Sequence, residues 1–240
     1  MRRGVLFIAF ILFASSRMFA QEYVNQNQPT VDFERIHFGF SIGLNSQNLL
    51  LKHVDQSANP DQYYAEVPNI NPGFSVGLVT DLALSRYLNL RLTPAIHFGS
   101  KDVEIRDWNT NKSVTQDLKS NYIYVPLELK YSSLRLNNSR PYLMVGAAAA
   151  YDLSRKSGDT EFLRLNPFDY YLELGVGCDF YFNYFKLNPE LKFCFGLNNV
   201  LDTERTDIET PLSGGLDPKR YTKALYKATS RLVVLTFYFE

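Results

Sequence analysis

Three histidines are the first residues that could do chemistry. His97 stands just before Ser100 and Glu104, a loose set of base, nucleophile and acid. A hydrolase needs those three groups held within hydrogen-bond reach of one another. No spacing in this chain fixes them so; His37 falls, like His97, on the polar face of a strand, and His53 lies in the first long loop. No His, Cys and carboxylate cluster has metal-ligand spacing, and no glycine-rich phosphate loop or nucleic-acid motif occurs. No cofactor is expected. A second set is more orderly. Arg91, Lys130, Lys186 and Lys192 balance Glu128, Glu173, Asp179 and Glu190, and each sits between apolar residues. Balanced charges on alternate positions point to ion pairing on one face of a strand rather than to catalysis. Where such a face is closed off from water, unpaired charges cost several kcal/mol each, so these eight residues are read as one hydrogen-bonded network.

The elements that position them show a period of two from residue 36 onward. Ile36, Phe38, Phe40, Ile42 and Leu44 alternate with His37, Gly39, Ser41 and Gly43, the pattern of a strand with unlike faces. The same alternation marks strands over about 74–82, 88–98, 122–131, 141–151, 170–182, 185–195 and 232–239. That makes eight, most near the ~9–11 residues with which a tilted strand crosses a bilayer. Their connections alternate in length. Tight turns fall at Ser85-Arg86, at Asn137-Asn138-Ser139 and near Asn183, whereas 45–72, 100–120, 152–168 and 197–224 are long and polar. An outer-membrane barrel sorts its loops this way, with short periplasmic turns and long external loops. A β-sandwich has no reason to do so.

A soluble, lipocalin-like up-and-down barrel shares the strand count, and the faces separate the two. The apolar face is continuous in Phe and Leu. The other is rich in Gly, Ser and Ala and its charges balance. A soluble exterior would carry more Lys and Glu and less Gly. The apolar face is therefore read as outward, toward lipid, and the polar face as a crowded lumen. Tyr87, Tyr131, Phe182, Tyr184, Phe185 and Phe239 gather at the short-turn ends, and Tyr122, Tyr151, Phe168 and Tyr170 at the long-loop ends. Two aromatic belts suit two membrane interfaces. Cys178 falls on the apolar face and Cys194 on the polar one, a placement that disulfide geometry excludes from bonding. Pro94, Pro126 and Pro189 lie at strand centres, where a missing N–H usually marks a bulge; bulges are expected there.

Residues 1–20 read as a signal peptide: Arg2 and Arg3, an apolar run from Gly4 to Phe13 too short to span as a helix, then small residues before Ala20. Residues 21–35 read as a flexible periplasmic lead-in, and 36–240 as the barrel. The formal net charge is zero, so nothing general favours nucleic acid. No small-molecule substrate is expected.

The fourth strand, Tyr122-Ile123-Tyr124-Val125-Pro126-Leu127-Glu128-Leu129-Lys130-Tyr131, resembles the Y-x-E-I-P-L-L-L-K-Y strand of a large family of small outer-membrane barrels. Arg140-Pro141-Tyr142 with Gly146 resembles the strand that follows it there. Within that group the chain is similar to the PorT family, also called SprT, through Leu88-Asn89-Leu90-Arg91-Leu92-Thr93-Pro94-Ala95, Phe98-Gly99-Ser100 and the ending Leu235-Thr236-Phe237-Tyr238-Phe239-Glu240. The resemblance implies a non-enzymatic barrel of the cell outer membrane. It also implies a requirement for export by the type IX secretion system, as a translocon accessory or assembly factor partnered by outer-membrane lipid and by other secretion-machinery proteins. No catalytic residue carries over. The competing readings are a structural or adhesive outer-membrane barrel, and a small outer-membrane lipid or peptide hydrolase using His97 and Ser100.

Overall fold

The computed structural model describes residues 27–29, 31, 34–53, 63–66, 71–107, 113–154, 166–201 and 225–240. The segment read above as a signal peptide, most of the expected lead-in and much of the long connections lie outside them. Ten strands run in chain order: β1 (Ile36–His53), β2 (Tyr63–Glu66), β3 (Pro72–Ala83), β4 (Leu88–Leu92), β5 (Ala95–Asp107), β6 (Ser113–Ser132), β7 (Ser139–Asp152), β8 (Phe168–Tyr181), β9 (Lys186–Gly196) and β10 (Leu225–Phe239). Every pairing is antiparallel. β1 pairs with β10 on one side and with β3 on the other, which closes the sheet on itself. Closure removes the unpaired edges that an open sheet would expose.

Eight crossings make up the ring, because β4 and β5 form one crossing. Thr80↔Leu92 and Gly77↔Ala95 share one register against β3, and Leu88↔Tyr131 and Ala95↔Tyr124 share one against β6. Only Thr93 and Pro94 interrupt it, and the Leu78 N–H still donates to the Pro94 carbonyl at 3.0 Å. β2 pairs only with the far end of β5.

The bulges expected at the three prolines are absent. The ladder is unbroken past Pro126 against β7, and on the other side, where Pro126 faces the interruption at Thr93 and Pro94, the pairing resumes in the same register. Register is kept past Pro189 against β10, and against β8 the pairing lapses between Gly177↔Glu190 and Phe180↔Leu187 without a shift. A missing N–H deletes one bond from a ladder but inserts no residue, so the alternation of faces survives. The register shift in the β1–β10 ladder comes instead at Lys52/His53.

Several strands also run well past their expected ends. β1 has 18 residues and β6 has 20, taking in stretches assigned above to the loops. At roughly 3.3 Å per residue the longest reach about 65 Å, about twice what an inclined crossing of a ~25 Å apolar band needs. Beyond the apolar band both faces meet water, so the apolar–polar alternation fades there while the backbone ladder continues.

The two faces are inverted relative to a soluble protein. Phe38 is 71% exposed, Leu78 63% and Leu143 59%, all pointing outward, while Asp81, Arg91, Glu128, Glu173 and Asn188 are 0% exposed on the inner face. A water-soluble barrel would bury the first set and expose the second. Outer aromatics pair across neighbouring strands, Phe40 stacking on Phe239 at 5.0 Å and Phe74 on Phe98 at 4.6 Å. Tyr87, Tyr131, Phe182, Tyr184 and Phe185 are exposed at the short-turn end, and Tyr151, Phe168 and Tyr170 at the other. Tyr122 does not belong with them: it is buried on the inner face, because it shares strand parity with Tyr124 and Glu128 rather than with Ile123.

Candidate functional site

Strand parity sends the described polar-face side chains of β1 and β3–β10 toward one axis, and the sheet closes around it. Near the short-turn end the guanidinium of Arg91, on β4, is the hub. Its Nε and Nη2 donate to Asp81 Oδ2 at 3.0 and 2.9 Å, Nη1 donates to Glu190 Oε2 at 3.3 Å, and Nη2 also reaches Glu240 Oε1 at 3.3 Å. Asn89 donates to the other Asp81 oxygen. The planar fork of an arginine suits this many-sided role better than a lysine would. The same guanidinium lies 4.8 Å from the Tyr238 ring centre.

Around this hub Lys130 donates to both oxygens of Asp179 at 2.7 and 2.8 Å and sits 4.1 Å from the Tyr142 ring centre. Lys186 pairs with Glu240, which also accepts from Asn188 at 2.8 Å. Further up the axis Glu190 accepts from the hydroxyls of Tyr142 and Tyr238 at 2.7 and 3.2 Å. Lys192 contacts Glu128 and lies 3.3 Å from Glu190. Higher still, Glu173 accepts from the Tyr124 hydroxyl at 2.8 Å and the Cys194 thiol at 3.5 Å. Lys101 donates to the Tyr122 hydroxyl nearer the long-loop end. Ion pairs, amides and phenols thus cross the lumen from one rim toward the other.

All eight charges singled out from the sequence lie on this inner face. Arg91, Glu128, Lys130, Asp179, Lys186, Glu190 and Lys192 are brought into ion pairs. Glu173 is held by a phenol and a thiol instead. Asp81, Glu240, Lys101 and the tyrosines were not in that set. Their signal was parity. Tyr124, Tyr142, Tyr171 and Tyr238 occupy polar-face positions while phenylalanines such as Phe193, Phe195 and Phe237 occupy the outer face. An inward aromatic with a hydroxyl is a hydrogen-bond donor to a buried carboxylate. Gly177 makes room for them, since a Cβ there would strike the Tyr142 ring.

The hydrolase constellation is not assembled. His97 points inward, buried and edge-on to Tyr124 at 4.9 Å between ring centres. Ser100, an odd number of residues further along β5, falls on the opposite face, where the Asn71 side-chain amide approaches it at 3.5 Å. The side chains of His53 and Glu104 lie outside the described residues. His37 sits near the short-turn rim with Nε2 3.1 Å from the Val31 carbonyl oxygen. Among the described residues no cluster of His, Cys, Asp and Glu could hold a metal ion. Both cysteines are free thiols, Cys178 partly exposed on the outer face and Cys194 buried in the lumen.

Little open space remains in the middle of the lumen. The cavity between Glu173, His97, Lys192 and Thr93 has a volume of about 20 Å³, room for about one water molecule. Eight-stranded barrels are narrow enough to be filled by their own side chains, and here the filling is polar and mutually bonded.

A family model described as "Outer membrane protein beta-barrel domain" matches residues 19–202. A comparison with curated protein sequences returned no match. Among solved structures, the chain is similar to the crystal structure of neisserial surface protein A, at 8% identity and TM-score 0.45, over 85% of this chain and 98% of that one. It is also similar to the outer membrane protein OprG from Pseudomonas aeruginosa, at 14% identity and TM-score 0.42, over 85% and 90% of the two chains. The outer membrane protein AlkL in lipid bilayers is a third, at 11% identity and TM-score 0.39, over 92% and 95%.

Proposed function

Because this chain belongs to the outer membrane protein β-barrel domain family, we propose that it works in the outer membrane as a sealed, non-enzymatic barrel that supports protein export by the type IX secretion system. Its part there is that of an accessory or assembly factor of the translocon. The observation that carries this reading is the ion-paired network through the lumen, with Arg91, Glu190 and Lys192 fully engaged at its centre. A barrel so filled is unsuited to passing solutes, and its remaining working surfaces are its rims and its lipid-facing wall. The resemblance of the Tyr122–Tyr131 strand and of the chain's final residues to the PorT family supplies the export role.

One observation favours a second reading, a structural or adhesive barrel. β5 and β6 continue as a paired ladder to Arg106↔Ser113, with β2 added beside them, so the wall stands beyond the apolar band on the long-loop side. Deleting the gene separates the two readings. Secreted cargo in the medium and the outer-membrane protein profile would be measured in the same cultures. Loss of cargo with an intact envelope is the result expected for the export role. Normal secretion with altered surface attachment would favour the adhesive barrel and discard the export role.

A further inference from the structure

The short-turn rim carries charge that the lumenal network does not use. A cavity of about 770 Å³ opens there beneath Asp179 and Lys186, within the ~300–1,000 Å³ range of ligand pockets. Arg35, Arg86, Arg135 and Arg140 all line it, against Glu34 and Asp179. Asp179 is already taken by Lys130. Arg140 donates through Nε to the Ser133 carbonyl at 3.0 Å and through Nη2 to the Arg86 carbonyl, so its guanidinium is fixed in place by neutral groups and keeps its charge. Arg135 bonds to the Asn137 carbonyl at 2.8 Å and to the Asn27 carbonyl of the lead-in, and lies 3.7 Å from the Tyr181 ring centre. Among the described residues no carboxylate lies within ion-pair distance of Arg35, Arg86 or Arg140.

The side on which Arg35 and Arg140 stand points to the ligand. Arg140 pairs with Asp179 and Arg35 lies two residues before His37, which pairs with Asp81, so both occupy inward-facing positions around the axis. The outer wall at the same height carries Tyr87, Tyr131, Tyr184 and Phe185. A lipid headgroup would meet those aromatics from outside, whereas a chain entering along the axis meets the arginines. Described residues of the lead-in already lie at this mouth: Asn27 bonds to Asn138 and to the Tyr181 carbonyl. The chain bends there, with Gln28 at φ 49° and the Val31 N–H donating to the Gln28 carbonyl at 3.3 Å, so main chain is accommodated beside the basic rim. Guanidinium groups bind carboxylates in a two-pronged geometry, and an excess of one sign in a concave site draws the opposite sign toward it.

We propose that the short-turn mouth is a docking site for an acidic peptide segment of a partner protein, with Arg86 and Arg140 binding its carboxylates. The proposal goes beyond the export role and needs only the folded barrel. It is tested with the full mature chain refolded in zwitterionic detergent and a fluorescent octapeptide of alternating Asp and Glu, followed by anisotropy. Saturable binding that weakens with salt is expected, with no binding of the Asn/Gln counterpart. Replacing Arg86, whose side chain bonds to none of the described residues, in Arg86→Glu alone should weaken binding by about tenfold. Arg86→Glu with Arg140→Glu should abolish it. Lys119→Glu, on the long-loop side, should leave it unchanged, and heat-shifted gel mobility would show that each variant is folded. Unchanged binding in folded Arg86→Glu, or equal loss in Lys119→Glu, would overturn the proposal. So would a barrel that ignores the peptide yet binds phosphatidylglycerol vesicles through these arginines, which would make the rim a headgroup site.

Discussion

At the scale of single residues, Arg91 carries the most consequence. It is fully buried and contacts three carboxylates, Asp81, Glu190 and Glu240. Removing one partner of a buried ion pair typically costs 3–5 kcal/mol, since the other charge is left behind without compensation. Arg91→Ala is therefore expected to lower the unfolding free energy of the refolded barrel by about that amount, read from urea titrations followed by gel mobility. A change below about 1 kcal/mol, the range of exposed pairs, would mean that water reaches the site. The cysteines give a second residue-scale prediction. A lipid-soluble maleimide should label Cys178 in the folded barrel and Cys194 only after denaturation, as judged by mass spectrometry; labelling of Cys194 in the folded protein would open the lumen. The placement of these thiols, and of the eight charges, was legible from parity alone. Glu240 was not, because it follows the last strand and only the closed ring brings β10 beside Lys186 and Asn188.

At the scale of elements, each strand keeps two chemistries on two faces. Val145 is exposed on β7 between Met144 and Gly146 of the lumenal face. Val145→Arg should destabilise the barrel by about 2–4 kcal/mol in a bilayer if that position lies near the midplane; a neutral effect in lipid vesicles would mean that this face meets water. Gly177 on β8 tests the other side. A methyl group there strikes the Tyr142 ring, whose hydroxyl is bonded to Glu190, and overpacking of this kind costs about 1–3 kcal/mol. Gly177→Ala should lower stability by that much in the same urea titration, whereas an unchanged midpoint would mean that the lumen has slack. Strand existence and face were legible because period two persists wherever one side meets lipid. Strand length was not: in β1 beyond Leu44 and in β5 beyond Ser100 the contrast between faces weakens, and the sequence there resembles a polar loop although the ladder holds. The prolines misled for a related reason. Their effect on a ladder depends on where the lost N–H points, which alternation does not record.

At the scale of the whole molecule, the account rests on inversion: an apolar outer wall around a lumen filled by its own ion pairs. The filled lumen leaves the rims as surfaces for the proposed partners, and the basic mouth is one of them. The family and the outer-membrane location follow from the match over residues 19–202, while the proposed export role depends on partners outside this chain. The most direct test of inversion replaces single residues with tryptophan, in a background where Trp108 is changed to Phe, and reconstitutes the barrel in lipids brominated along their acyl chains. Leu129→Trp, on the outer wall of β6, should be strongly quenched, and Tyr124→Trp, on the lumenal face of the same strand, should not. Equal quenching at the two positions, or quenching of Tyr124→Trp alone, would contradict the account.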